Sequence, residues 1–268
     1  MTTPTTARAP TALWLPAAAA VCFLVLPLAG LLAKAPWSDL GDHLGDPRVA
    51  EALRLSVICS FGSLAVAVVV GVPLAWLLAR REFRGRSLVR ALVTLPLVLP
   101  PVVGGVALLL AFGREGLLGE QLDAVGVRLA FTTTGAVLAG AFVAMPFLVL
   151  AVEGAIAGLD ERYEEVAATL GSSPWRVFMS VTLPLVGPGL AAGAALAWAR
   201  ALGEFGATIT FAGNTPGETQ TLPLAVYLLL QDDPDAAIAV SLLLLVVSVV
   251  VLVALRGRWL STARRAAR

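Results

Sequence analysis

The sequence predicts an all-α fold: a polytopic membrane helix bundle with six transmembrane helices and both termini cytoplasmic. Three observations carry this expectation. Of 268 residues, 58% are apolar and only 14% charged, against about 25% charged in a soluble domain, and the mean hydropathy is +0.88. Six stretches of 20 residues or more contain no charge, and a bilayer core needs about 20 apolar residues of helix. The basic residues gather on one side of those stretches, which sets orientation. This balance excludes a water-soluble globular enzyme. A formal net charge of +1 excludes a nucleic-acid binder held by bulk charge.

The charge-free windows are 9–33, 55–79, 91–113, 129–152, 177–199 and 236–255. They are continuously apolar rather than alternating, so helices are favoured over barrel strands. The first window has Arg8 before it and the small-x-small triplet Ala33-Lys34-Ala35 after it. At 25 residues it is longer than the roughly 7–15 residues of a signal-peptide core, so it is read as a retained helix at the bundle edge. The second window carries Pro73. The third holds Pro96, Pro100, Pro101, Gly104 and Gly105; proline removes a backbone donor and crowds the preceding turn, so this helix must kink or open. The fourth contains Met145-Pro146. Gly135, Gly140, Gly189 and Gly193 permit close helix approach. The stretch 219–231 has 13 residues and is read as interfacial or re-entrant.

Thirteen basic residues fall on one side: Arg8, Arg80, Arg81, Arg84, Arg86, Arg90, Arg162, Arg176, Arg256, Arg258, Arg264, Arg265 and Arg268. Five fall on the other: Lys34, Arg48, Arg54, Arg114 and Arg128. The loops after even-numbered spans are therefore expected in the cytoplasm with the termini.

Chemistry-bearing residues are few. Cys22 and Cys59 lie inside apolar runs and read as small buried hydrophobes. His43 among Asp39, Asp42 and Asp46 reads as a solvated loop rather than a metal site. Glu153 sits at the inner end of the fourth span. Arg200 and Glu204 are four apart on one helix face, suited to a structural ion pair or to a gate on an anion path. Broken helices and these charges make Pro100, Pro101, Gly104, Arg200 and Glu204 the candidate translocation path, with ordinary membrane packing as the plainer alternative; Thr208 joins them only through the family resemblance given below. The segment 204–235 has five acids and no Lys or Arg, so it should not hold a free anion by itself.

The most informative stretch is 160–184. Asp160 can cap a helix over 161–170 with acids in its first turn. Gly171 stands where a left-handed cap wants glycine. Ser172-Ser173-Pro174 restarts a helix, with serine as cap and proline at the first position. Trp175, Phe178 and Val181 form an apolar stripe, and Leu183-Pro184 ends the helix. Ala167 and Ala168 keep the surface low enough to fit a groove on a partner. Asp160, Glu161, Glu164 and Glu165 argue against an anionic lipid surface.

These residues resemble the signature loop of ABC-importer permeases: Glu165-Val166-Ala167, then Gly171, Val181 and Leu183-Pro184, with Val166 where the family usually has alanine. The resemblance implies a hairpin that docks on an ATPase through Glu164, Glu165, Ala167, Ala168, Gly171, Ser173, Trp175, Leu183 and Pro184. The segments 95–105, 199–208 and 214–224 resemble the sulfate and molybdate (tetraoxyanion) branch, with molybdate favoured over sulfate, thiosulfate or tungstate. What this implies is the permease subunit of an ATP-driven importer, a homodimer in membrane lipid. Its partners would be two ATP-binding cassette ATPases and an extracytoplasmic oxyanion-binding protein. The permease domain would be 50–257, flanked by an N-terminal piece 1–49 and a basic tail 258–268. The sequence has no Gly-x-x-x-x-Gly-Lys phosphate loop, so ATP would be used by the partner subunit and no cofactor or metal held here. Nor is there a nucleophile–His arrangement, so the chain is not read as an enzyme. A stand-alone ion-coupled carrier is disfavoured because the acids sit at span ends and in loops.

Overall fold

The computed structural model describes residues 13–266, so Arg8 and Arg268 lie outside the described residues. Every regular element among the described residues is helical. They run α1 (Trp14–Ala33), α2 (Leu40–Gly45), α3 (Pro47–Arg80), α4 (Arg86–Val98), α5 (Pro101–Phe112), α6 (Gly119–Ala124) and α7 (Thr133–Ala157). After these come α8 (Arg162–Thr169), α9 (Pro174–Val177), a π-helical turn at Phe178–Thr182, α10 (Leu183–Leu185), α11 (Gly187–Leu202), α12 (Gly206–Phe211), α13 (Leu222–Asp232) and α14 (Pro234–Ala266).

Four helices are long and apolar enough to cross a bilayer alone: α1, α3, α7 and the Pro234–Val251 part of α14. The third charge-free window is not one helix. Leu99 and Pro100 each precede a proline, which pushes a residue out of helical geometry; both are extended, with ψ of 131°. The chain leaves α4 and restarts at Pro101, the first residue of α5. The fifth window also departs from a straight rod: Pro174–Leu185 and Gly187–Leu202 meet at 75°. Its hinge at Val186 lies just before Gly187 and Pro188.

The core is α3 packed along α7, with α11 across both. Ala67, Val72, Ala75 and Leu78 of α3 meet Ala144, Leu148, Val149, Val152 and Ile156 of α7, with Val186, Ala197 and Ala201 closing the cluster. Small residues set the spacing. A Cβ on Gly193 would lie 2.8 Å from that of Ala151, and one on Gly189 would lie 2.5 Å from that of Ala155. Both exclude any larger side chain. At 34 residues α3 is about 50 Å long at 1.5 Å per residue, well beyond the roughly 30 Å hydrocarbon core. Its first turn begins on Pro47, capped by the Asp46 carboxylate accepting from Arg48 N at 2.8 Å.

The remaining segments refine the sequence reading. Nothing on α1 is buried, and it touches α14 at the bundle edge; Cys22 is consequently exposed, against expectation, while Cys59 is buried in α3. His43 lies in the short helix α2 rather than a loop. The stretch read as interfacial forms α13, which packs on α3 and α14 and buries Leu222, Leu224 and Ala225. The polar run before it is sewn in. Leu222 N donates to Ser56 Oγ at 2.7 Å, and Thr133 Oγ1 donates to Glu218 O at 2.7 Å.

Candidate functional site

The hairpin between α7 and α11 folds as its local sequence dictates. Asp160 Oδ1 accepts from Arg162 N at 3.0 Å. Gly171 ends α8 with φ +85°, a conformation that costs an L side chain about 1–2 kcal/mol. Ser173 Oγ accepts from Arg176 N at 3.4 Å, and Pro174 occupies the first position of α9.

One expectation for the hairpin is overturned by the structure. Pro184 does not stop the helix. A π turn over Phe178–Thr182, closed by Leu183 N donating to Phe178 O, widens the coil just ahead of the ring. This relieves the clash a proline makes with the preceding turn, and helix continues to Leu185. The apolar stripe of Trp175, Phe178 and Val181 is graded in burial, with Trp175 exposed and Phe178 and Val181 half-buried. Trp175 is 70% exposed; its ring leans on Phe178 at 5.8 Å between centroids, and Phe178 in turn packs edge-on against Trp76 of α3 at 6.2 Å.

The hairpin thus has two faces. Outward stand Tyr163, Val166, Leu170 and Trp175, all exposed, with Glu165, Ala168, Gly171, Ser173 and Pro184 also exposed. Inward lie the half-buried Glu164, Ala167 and Leu183. Glu164 is held twice: Oε2 accepts from Arg80 Nε at 2.8 Å, and Oε1 accepts from Thr182 Oγ1. Sequence reasoning missed Arg80 and Thr182, whose roles depend on contacts distant in the chain. It named Val166 only as a motif position and left Tyr163 and Leu170 out of the docking set, although the i, i+3, i+7 spacing of the three does mark one helix face.

Of the path candidates, Pro101 and Gly104 lie on α5 and Thr208 lies on α12, and these two helices pack together. A Cβ on Gly206 would fall 2.9 Å from Pro101 Cβ, and one on Gly104 would fall 3.0 Å from the Phe142 ring. The tightest approach belongs to Gly105, which the candidates omitted: its Cβ would meet Thr210 Oγ1 at 1.7 Å and Ala207 O at 2.7 Å. Pro100 marks the break before α5. Thr208 is buried, and its carbonyl accepts from Ala212 N and Gly213 N.

Arg200 and Glu204 do pair, Nη1 to Oε2 at 2.5 Å, though not on one helix. α11 ends at Leu202, and Glu204 stands in the link to α12, where Oε1 accepts from Ala207 N at 2.8 Å. The carboxylate is 2% exposed, so the neighbouring guanidinium and this cap balance a charge that burial alone would penalise. Nearer the arginine-rich end, Arg90 of α4 binds Glu153 of α7 through Nε at 3.1 Å and through Nη2. No group of three metal-ligating side chains occurs among the described residues.

Broken helices in an apolar bundle, with a structured hairpin standing off one end, define the membrane-embedded subunit of a transporter. Residues 71–262 match the family described as "Binding-protein-dependent transport system inner membrane component", and the chain belongs to that family. It is a multi-pass protein of the cytoplasmic membrane and a non-catalytic transport component. It is 49% identical over 245 residues to the molybdenum transport system permease protein ModB of Mycobacterium tuberculosis, covering 91% of this chain and 93% of that one. It is 37% identical over 237 residues to the sulfate transport system permease protein CysT of Escherichia coli, covering 87% and 86%. The fold is shared with a bacterial ABC transporter involved in the import of the acidic polysaccharide alginate, with a TM-score of 0.74, 22% identity, and coverage of 96% and 95%.

Proposed function

We propose that this chain is the permease of an ATP-driven importer that passes molybdate across the cytoplasmic membrane. In this reading six spans place both termini and the 160–184 hairpin in the cytoplasm. Two copies form the path, two ATP-binding cassette ATPases grip the hairpins, and an extracytoplasmic binding protein delivers the anion. The permease unit is 50–257. ATP is used by the ATPase, and this chain contributes no cofactor.

The observation that carries the reading is the hairpin. Its outer face presents Tyr163, Val166, Leu170 and Trp175 to solvent, an apolar surface on an otherwise acidic segment. Its inner face is fixed to α3 by Glu164. A surface of this kind suits a groove on a protein partner better than an anionic lipid face. Closure of the ATPases would push a rigid body rather than a loose loop. The bend at Val186 and the break at Leu99-Pro100 are where the helices can give. The acidic 204–235 segment does not draw in a dianion, so capture belongs to the separate binding protein.

Identity of 49% with a molybdenum permease supports molybdate. A sulfate permease is the second reading, supported by 37% identity to such a relative. The deciding experiment is uptake by the reconstituted assembly with binding protein. Molybdate uptake exceeding sulfate uptake when both are offered is expected, and ATP-dependent sulfate uptake with no molybdate uptake overturns the assignment.

A further inference from the structure

We propose that Arg80 is the positioning residue through which the docking hairpin moves the core, the joint between the hairpin and α3. The inference rests on the docking role proposed above and names the side chain that transmits it.

Arg80 is the last residue of α3, and its side chain is only 8% exposed. All of its fork is spent on the hairpin. Nε donates to Glu164 Oε2 at 2.8 Å, Nη1 to Glu161 Oε1 at 3.4 Å, and Nη2 to the Leu159 carbonyl at 3.1 Å. Those three partners lie in the link leaving α7, just before α8 and in its first turn. A planar guanidinium can hold three divergent acceptors at once, where an ammonium serves as a point charge.

Glu164 extends the joint. Its second oxygen takes the hydroxyl of Thr182, which is buried at 1% exposure in the π turn. One carboxylate therefore ties both arms of the hairpin, α8 and the π turn, to the end of α3. The neighbouring Arg81 has no such role: it is exposed, with its guanidinium carbon 5.7 Å from the Trp76 ring centre.

The consequence is mechanical. α8 packs on α9 and the π turn, within the hairpin itself. A displacement of the hairpin can reach the bundle through its covalent ends at Leu159 and Val186. Phe178 against Trp76 makes an apolar contact with α3, and the Arg80 fork adds the polar one, at the very end of the helix that carries the most extensive helix contact in the fold, with α7. Loss of the fork should leave docking intact and weaken transmission.

The test uses the full assembly, comparing Arg80→Ala, Arg80→Lys, Arg81→Ala and Glu164→Gln with Leu170→Asp on the docking face. ATPase co-purification, ATP hydrolysis and anion uptake are read together. Arg80→Ala is expected to keep the ATPase bound while uptake per ATP falls by about tenfold or more, since one charge-assisted bond alone is worth about that factor and the fork makes two to carboxylates. Arg80→Lys should fall between, Glu164→Gln should follow Arg80→Ala in direction, and Arg81→Ala should match wild type. Unchanged uptake per ATP in Arg80→Ala overturns the proposal, as does release of the ATPase to the extent seen with Leu170→Asp. If Arg80→Ala fails to accumulate in the membrane, Glu164→Gln carries the same two outcomes. If Leu170→Asp leaves the ATPase bound, the docking face itself is refuted and the joint falls with it.

Discussion

At the residue scale, what could be read in the sequence is what short-range chemistry controls. The Asp160 and Ser173 caps and the left-handed Gly171 were legible because each answers to neighbours within three positions. Arg80 was not, since its carboxylate partner is 84 positions away and nothing distinguishes it among five arginines in one loop. Gly171 allows a sharp test. A Cβ there would touch nothing within 4 Å, so any penalty is conformational, not steric. Gly171→Leu should cost about 1–2 kcal/mol in hairpin stability and lower uptake, whereas Gly171→Asn should be far milder because asparagine tolerates positive φ. Amide exchange of the hairpin and uptake measure both; equal losses would show that space rather than φ matters. The Arg200–Glu204 pair supports a second prediction. Removing Arg200 strands a buried carboxylate and should destabilise by about 3 kcal/mol, the low end for a buried pair because the arginine is partly exposed. Glu204→Ala additionally removes the cap on Ala207 N, worth about 1 kcal/mol. With both gone no charge is stranded, so the double variant should be less destabilised than the sum of the single losses. Thermal unfolding of the three variants checks this, and strictly additive losses would argue for separate roles.

At the element scale, charge spacing located every long apolar helix but overstated how many are rods. Consecutive prolines announced the α4–α5 break correctly. The bend at Val186 had a signal too, in Gly187-Pro188, yet composition there reads equally well as ordinary membrane packing. The α5–α12 contact was invisible because it joins residues about a hundred positions apart, so of the two glycines of the third window the path candidates kept Gly104 and omitted Gly105. Gly105 is the more constrained. Gly104 would place a Cβ against the edge of a movable Phe142 ring, while Gly105 would drive one into Thr210 and the Ala207 backbone. Gly105→Ala should therefore destabilise by about 1–3 kcal/mol and impair uptake, with Gly104→Ala near neutral. Thr210→Ala should rescue Gly105→Ala only in part, since the Ala207 carbonyl at 2.7 Å remains. Thermal melting in detergent measures all three, and full rescue would place the conflict in the threonine alone.

At the scale of the whole molecule, the decisive quantity is which way the bundle stands in the membrane. Composition fixes that the chain is membrane-embedded, but orientation depends on an asymmetry of basic residues, 13 against five. Such a bias acts through loops near span ends, and the Arg80–Arg90 loop beside the hairpin supplies its densest part. The hairpin shares that end: Arg80 binds Leu159 and Glu164 directly, so loop and hairpin must face the same compartment whichever it is. Cysteine labelling resolves it. Cys22 is exposed and is first replaced by alanine, while Cys59, buried in α3, is left in place. Ser173→Cys on the hairpin should then react with a membrane-impermeant thiol reagent in inside-out vesicles and not in intact cells. Val127→Cys, at the opposite end of α7 from the hairpin, should show the reverse. Adding the ATPase should protect Ser173→Cys and leave Val127→Cys unchanged, because the hairpin's exposed apolar face would then be covered. Labelling of the hairpin from outside the cell would invert the molecule and remove its access to any nucleotide-driven partner.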